Sequence, residues 1–376
     1  MSLLGVHLSL WMGPNDPVPV PFSIAEALTS VEVTHSDSGP SGFQLTFQIG
    51  RSGPLDLADY GLLKNPLIRP FVRVILLVRF AIAPEVLIDG IITQTQLSPN
   101  EQPGASTLTV TGEDVSVMMD LEQEPSPHLA VPDFEIVVQL VGKYKRYGMI
   151  PPLKPPPNPK ALTPRNPLEE RTVRPANLTD RAYIQQLAGY YGFVFYVTPG
   201  PAPLASTTYW GPPERLSLPQ SALSVNQGPN TNVDSISFRF DALRAQQITF
   251  VDGKSKRTIT RPSASRTIVP LAREPAEAKR KTSSTDEDKS RVEARAQGQV
   301  DQSSDDVVTA SGQLDALRYN GLLHSRSVVG LRGAGDTYDG NYYVKSVTHS
   351  ISKGRYTQSF SLSRDGTGAA FPVVVP

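Results

Sequence analysis

Residues with the chemistry to act are sparse in this chain and poorly grouped. Histidines stand at 7, 35, 128, 324 and 349, none at a spacing that sets two ligands on one metal, so a metal site would need carboxylates gathered by folding. His349 shares a strand face with Lys345 and Val347, which suits a partly buried imidazole holding a neighbouring strand or subunit. There is no cysteine, which removes disulfides, thiol nucleophiles and thiolate metal sites together. The Gly-x-Ser-x-Gly elbow, the phosphate-cradling Gly-x-x-x-x-Gly-Lys and His-Glu-x-x-His are absent. Gly333-Ala-Gly335 lacks the third glycine of a dinucleotide loop and leads into a strand where a helix should start, so it reads as a turn. Acids are many, but no spacing singles out a catalytic pair. Lys279-Arg280-Lys281 could meet phosphate, yet Asp286, Glu287 and Asp288 follow at once, as on a solvated loop. No catalytic, cofactor-binding or metal-ligating residue is assigned, and no cofactor is expected.

Hydroxyl side chains form the pattern that remains. In Tyr356 to Ser363, Tyr356, Phe360 and Leu362 fall on one face, and Thr357, Ser359, Ser361 and Ser363 on the other, because strand side chains alternate with period two. The same plan occurs about 250 residues earlier, where Leu108 and Val110 oppose Thr107, Thr109 and Thr111. An ordinary solvated sheet face accounts for either copy taken alone. Two copies of a short, uncharged, hydroxylated face also suit a wall past which material slides without sticking.

The elements that position these faces are mostly strands. Each copy sits in a hairpin, one over Val86 to Asp114 and one over Tyr338 to Gly366 turning at Ser352 to Gly354. Val31, Val33 and the alternating Phe43, Leu45, Phe47 and Ile49 add strands, as does Phe71 to Phe80. That run is ten residues long and broken by Arg73 and Arg79, far short of the roughly 20 needed to span a bilayer. The pattern gives about five strands before Asp114, enough for a small barrel or sandwich. Asp133 is expected to cap a helix with Ile136, Val137, Leu140, Val141 and Tyr144 on its stripe, and Gly148 to stop it. Ile150 to Pro175 is too proline-dense for helix or central strand and reads as an extended connector. Thr179 should cap a second helix with Tyr183, Ile184, Leu187, Ala188 and Tyr191 on its stripe, ended by Gly192 before a strand at 193–197. Strand patterning returns at 233–240 and 247–251. Residues 254–301 then carry almost no large apolar side chains, so they are expected to be an exposed, partly mobile excursion with a marginal helix near 275–281.

The chain has 376 residues and zero formal net charge. It is long enough for two or three domains, and no global field draws it to nucleic acid or an anionic membrane. The N-terminus lacks the basic region and cleavage site of a signal peptide, so synthesis in the cytoplasm is expected. The domain expectation is a first β domain over 1–125, an α/β insert with the proline-rich connector over 126–230, first strands of a second β domain over 231–253, the charged excursion over 254–301, and the remainder of the second β domain with a tail over 302–376.

Three segments resemble the bacteriophage late control D family and the related central hub proteins of contractile tails, injection particles and type VI secretion spikes. They are Asp89-Gly90-Ile-Ile-Thr with Leu108-Thr-Val-Thr-Gly-Glu-Asp114; Asp180-Arg-Ala-Tyr-Ile-Gln-Gln-Leu-Ala-Gly-Tyr-Tyr-Gly-Phe193; and Tyr338-Asp-Gly-Asn-Tyr-Tyr-Val-Lys-Ser-Val-Thr-His349 leading to Ser361-Leu-Ser-Arg-Asp-Gly366. The order and spacing of these segments, more than any one of them, carry the likeness. The resemblance implies a mainly β fold with a small α/β insert and two tube-type β-barrels per chain. It further implies a homotrimer whose six barrels match a six-fold inner tube above a spike, with other baseplate proteins around it, no nucleic-acid specificity and no membrane span. Thr107, Thr109, Thr111, Thr357, Ser359, Ser361 and Ser363 would then face a shared channel, and Leu108, Val110, Tyr356, Phe360 and Leu362 would fill the barrel cores. The sequence stops at Pro376 without a C-terminal oligosaccharide-binding-type barrel, so a separate spike protein is expected. The product would be a structural, non-enzymatic part of a phage tail or injection particle. Two alternatives stay open: a tail-associated wall hydrolase, which would show an acid pair or metal ligands in a cleft, and a monomeric carbohydrate-binding β-protein, which would show Tyr209 and Trp210 as an exposed strip.

Overall fold

A computed structural model describes residues 2–3, 6–14, 16–50, 61–80, 83–102, 104–123, 127–129, 131–152, 155, 171–173, 177–200, 202–252, 255–267, 269–271, 276–282 and 289–368. The fold is mainly β. In chain order its principal elements are β1 (Val6–Gly13), β2 (Leu28–Ser36), β3 (Gly42–Ile49), β4 (Arg73–Phe80), β5 (Ala83–Ser98), β6 (Ser106–Asp114), α1 (Asp133–Gly142), α2 (Asp180–Tyr190), β7 (Val194–Pro199), β8 (Ser206–Gly211), β9 (Gln220–Ser224), β10 (Val233–Phe240), β11 (Gln246–Asp252), β12 (Ser255–Ile259), β13 (Ala276–Thr282), α3 (Lys289–Asp305), β14 (Val308–Asp315), β15 (Val328–Arg332), β16 (Gly340–Ser352) and β17 (Arg355–Arg364).

One ladder path runs β1-β4-β5-β6-β3-β2-β16-β17-β14-β10, with β15 joined to β16 and β9 joined to β15. Two β units share it. Alternate residues of β1 to β6, among them Leu10, Val33, Phe47, Leu76, Ile88 and Leu108, meet in one apolar cluster. Six strands can aim one face at a common core only if the sheet curls around it. The second unit repeats this with Leu223, Val308, Leu331, Val344, Phe360 and Leu362. β9 pairs in parallel with β15 from Gln220 onward, so strand pairing in this unit starts ahead of residue 231.

The α/β insert has its own core around Trp210, which is 1 % exposed. Thr179 caps α2 as its sequence implies, accepting from the Ala182 amide at 3.2 Å. Asp133 behaves otherwise. It is the first residue of α1, Pro132 holds the cap position without a side-chain bond, and the Asp133 carboxylate accepts the Tyr191 hydroxyl at 2.5 Å. Most of the proline-rich connector, including 156–170, lies outside the described residues.

Within the 254–301 excursion, residues 255–259, 276–282 and 289–301 form regular elements that the sequence did not suggest. β12 and β13 flank β11 in a three-stranded sheet, and Val292, Ala296 and Val300 of α3 bury against Ile248 and Phe250. Apolar residues spaced by four on a helix make one narrow stripe, enough to dock on two strand residues though too thin to stand out in a charged sequence. In place of the marginal helix expected near 275–281, residues 276–282 are strand β13, paired in parallel with β11.

Candidate functional site: a hydroxylated sheet face over a buried seam

Residues directly opposed in an antiparallel ladder share a face. Following the registers, Gln96, Thr109, Thr46, Ser30 and Ser352 form one row across β5, β6, β3, β2 and β16. Ser36, Ser346, Ser361, Ser311 and Ser237 form another across β2, β16, β17, β14 and β10. The two hydroxyl faces legible as separate copies are therefore one face of one sheet. Neighbouring hydroxyls bond across it, Thr34 to Thr348 at 3.0 Å and Ser237 to Ser311 at 3.1 Å. Glu32 between Gln44 and Ser350, Arg355 opposite Ser352 and Arg239 opposite Thr309 are exposed charges within it.

Individual residues fall as follows. Thr107, Thr109 and Thr111 are half-buried on this face and Leu108 and Val110 are fully buried beneath it. Ser359 is exposed and Ser361 half-buried. Thr357 and Ser363 depart from the expected wall, because both are buried. The Arg215 side chain lies over Ser363 and donates to its hydroxyl at 2.9 Å. Phe360 and Leu362 enter the second core, whereas Tyr356, on the same strand, enters the first. Gln358 escaped notice in the sequence although it breaks the apolar series between Tyr356 and Phe360. It is fully buried, accepting from the Leu323 amide at 2.7 Å and donating to the Gly321 carbonyl at 2.8 Å.

Beneath the face, β2 and β16 join the two units. His35 opposes Val347 and His349 opposes Val33, so both imidazoles point inward, their centroids 5.8 Å apart. His349 shares a hydrogen bond with the Tyr356 hydroxyl at 3.0 Å and His35 with Ser41 at 3.2 Å. Burial pushes His35 down to about 3, with the Arg326 charge acting in the same direction, although part of its surface still opens on a cleft. Burial likewise holds His349 well below the ordinary histidine value. Both are neutral near pH 7.

Arg326 ties three units at the end of this seam. With φ at +64° in the left-handed region, it donates to the Ser36 carbonyl and Ser41 hydroxyl of the first unit and to the Val197 carbonyl of the insert. Its own amide bonds the Val344 carbonyl of the second unit. The guanidinium lies 4.2 Å from the Tyr196 ring centroid. Burial pulls its pKa down while Asp114 pulls the other way. A buried cation rooted in the second unit and serving acceptors in the other two fixes their mutual placement, since moving either strands a charge. No local signal marks Arg326 in the sequence.

The aromatic-strip expectation is overturned. Trp210 is buried in the insert core, and Tyr209 stacks on Tyr196 at 5.0 Å with its hydroxyl on the Pro212 carbonyl. Among the described residues, no three His, Cys, Asp or Glu side chains gather as a metal-binding group, and no helix is long and apolar enough to cross a membrane.

No family model and no curated protein matches this chain. Solved structures do. A tail protein from Neisseria meningitidis is 12% identical over 97% of this chain and 98% of its own, with a TM-score of 0.64. The 43 kDa tail protein of prophage MuSo2 from Shewanella oneidensis is 13% identical over 95% and 98%, at 0.62. A type VI secretion component of E. coli is 11% identical over 93% of this chain and 77% of its own, at 0.52. The fold is thus the one found in phage tail proteins and type VI secretion components.

Proposed function

We propose that the chain is a structural central hub of a contractile-tail or injection-particle baseplate, of the late control D kind. Three copies close a ring whose six β units meet an inner tube protein on one side and a separate spike protein on the other, inside a tail or injection particle. The single observation carrying this reading is the continuous face, mostly Ser, Thr and Gln with scattered charges of both signs, that crosses both units without a break at their seam. Such a face, lining a lumen, offers a passing polymer mostly weak and interchangeable hydrogen bonds rather than apolar pockets or a field of one sign that would hold it.

Because the chain has no cysteine, single Thr109→Cys and Ser359→Cys variants report their surroundings cleanly. In assembled particles both should react with a small maleimide and resist one carried on a bulky polymer, whereas Lys353→Cys, at the turn between β16 and β17, serves as the comparison. Equal reaction with the bulky reagent at Thr109→Cys and Ser359→Cys in intact particles would refute the lumenal assignment. Light scattering and particle stoichiometry test the three-copy ring separately.

A further inference from the structure

The chain is neutral overall, yet its charges are segregated. Residues 254–282 carry nine Lys or Arg and two Glu, whereas residues 80–142 carry ten Asp or Glu and no Lys or Arg. The basic run supplies β12 and β13. Ile248 and Phe250 turn one face of their sheet onto α3, which leaves Thr249 and Thr258, bonded to each other at 2.8 Å, on the opposite face. Lys256 is in register with Val251, which assigns it to the strand positions of that α3-free face, and in the parallel ladder Lys281 is in register with Thr249. Lys256 and Thr258 are exposed.

Among the described residues, no ion pair joins one run to the other. Among the described residues, the ion pairs of this basic unit end on its own α3, Arg257 on Glu293 and Arg266 on Asp301 and Asp305. On the acidic side, Arg73 holds Asp89 and Arg181 holds Glu113 and Asp120. Glu122, after the 3-10 turn at Val115–Asp120, and Glu135, in the first turn of α1, stay exposed.

We propose that the α3-free face of β11, β12 and β13 docks on the acidic surface around Glu122 and Glu135 of a second copy of this chain. The inference rests on the ring reading above and names its electrostatic contact. Two different patches meeting head to tail on successive copies generate a closed ring when the rotation closes. Opposite charges steer that encounter and exclude the other registers, in which like would face like. The acid-only run of this same chain is the complementary partner at hand; a phosphate polymer is the competing one.

Sedimentation equilibrium of the full chain at about 0.05 M and about 0.5 M salt, a range over which exposed charges become screened, should show association weakening as salt rises. A Lys256→Glu, Lys279→Glu, Lys281→Glu variant, with unchanged circular dichroism and melting, should associate at least about tenfold more weakly at low salt. Adding Glu122→Lys and Glu135→Lys to it should restore association. A triple variant that assembles like the wild type overturns the docking while leaving the ring intact. So does one that keeps its assembly and instead loses binding to a short DNA duplex, and so does failure of the charge swap to rescue. A wild-type chain that is monomeric at every concentration and absent as a ring from particles overturns both readings.

Discussion

The two β units use one plan to different ends. In the first, six strands from β1 to β6 follow one another within about a hundred residues, and their core is mostly aliphatic, with Phe43, Phe47 and Tyr356 among it. The second is assembled from β9 and β10 and, after the β11–β13 and α3 unit intervenes, β14 to β17. Both cover a glycine with an aromatic ring across a strand pair: Phe43 opposes Gly112, and Phe360 opposes Gly312. A Cβ at Gly112 would stand 2.4 Å from the Phe43 ring, and one at Gly312 would stand 2.7 Å from that of Phe360. The shared Asp-Gly pairs have diverged. Asp89 is buried in an ion pair with Arg73 at 2.6 Å, while Asp339 accepts the amides of Gly333 and Ala334 in a turn. Strand plan and glycine–aromatic packing are thus common to both units, and polar contacts suit what each unit abuts.

Paired substitutions probe that comparison. The largest loss should come from truncating the cores, with Leu108→Ala and Leu362→Ala each costing about 2–5 kcal/mol in denaturant melts. Equal costs would mark the units as energetically equivalent. Tyr356→Ala sharpens the test: although on a strand of the second unit, it should raise hydrogen exchange in β1 to β6, because its ring is in the first core. Next comes Arg326→Met, which removes several charge-assisted bonds worth about 1.5–3 kcal/mol and should open the seam to protease while each core persists.

The seam should also be sensitive to acid. The unfolded imidazole titrates near the ordinary histidine value of 6.5 and the folded His35 at about 3, so between these the unfolded state binds more protons. Stability is full above the upper value and falls as pH drops toward the lower, by about 2 kcal/mol at pH 5 for His35. His35→Gln should flatten that slope in melts between pH 7 and pH 4. The smallest effects belong to the wall. Thr109→Ala, Ser359→Ala and Ser361→Ala should shift stability by no more than about 0.5 kcal/mol, whereas Ser363→Ala, which strands an Arg215 bond, should cost about 1 kcal/mol.

Period-two alternation in 43–49, 107–111 and 359–362 sufficed to assign strands and faces, and Thr179 with its apolar stripe sufficed for α2, because these signals depend on neighbours a few residues away. The helix within 254–301 is not legible for the converse reason: Val292, Ala296 and Val300 gain meaning only once Ile248 and Phe250 are brought against them. The union of two hydroxyl faces into one depends on β2 meeting β16, where Thr34 and Thr348 touch across 314 positions of sequence. Arg326, Gln358 and the paired histidines belong to the same class. Each is a polar group made tolerable in a buried place by partners from distant segments, and no pattern local to the residue records partners that the fold alone brings within bonding distance.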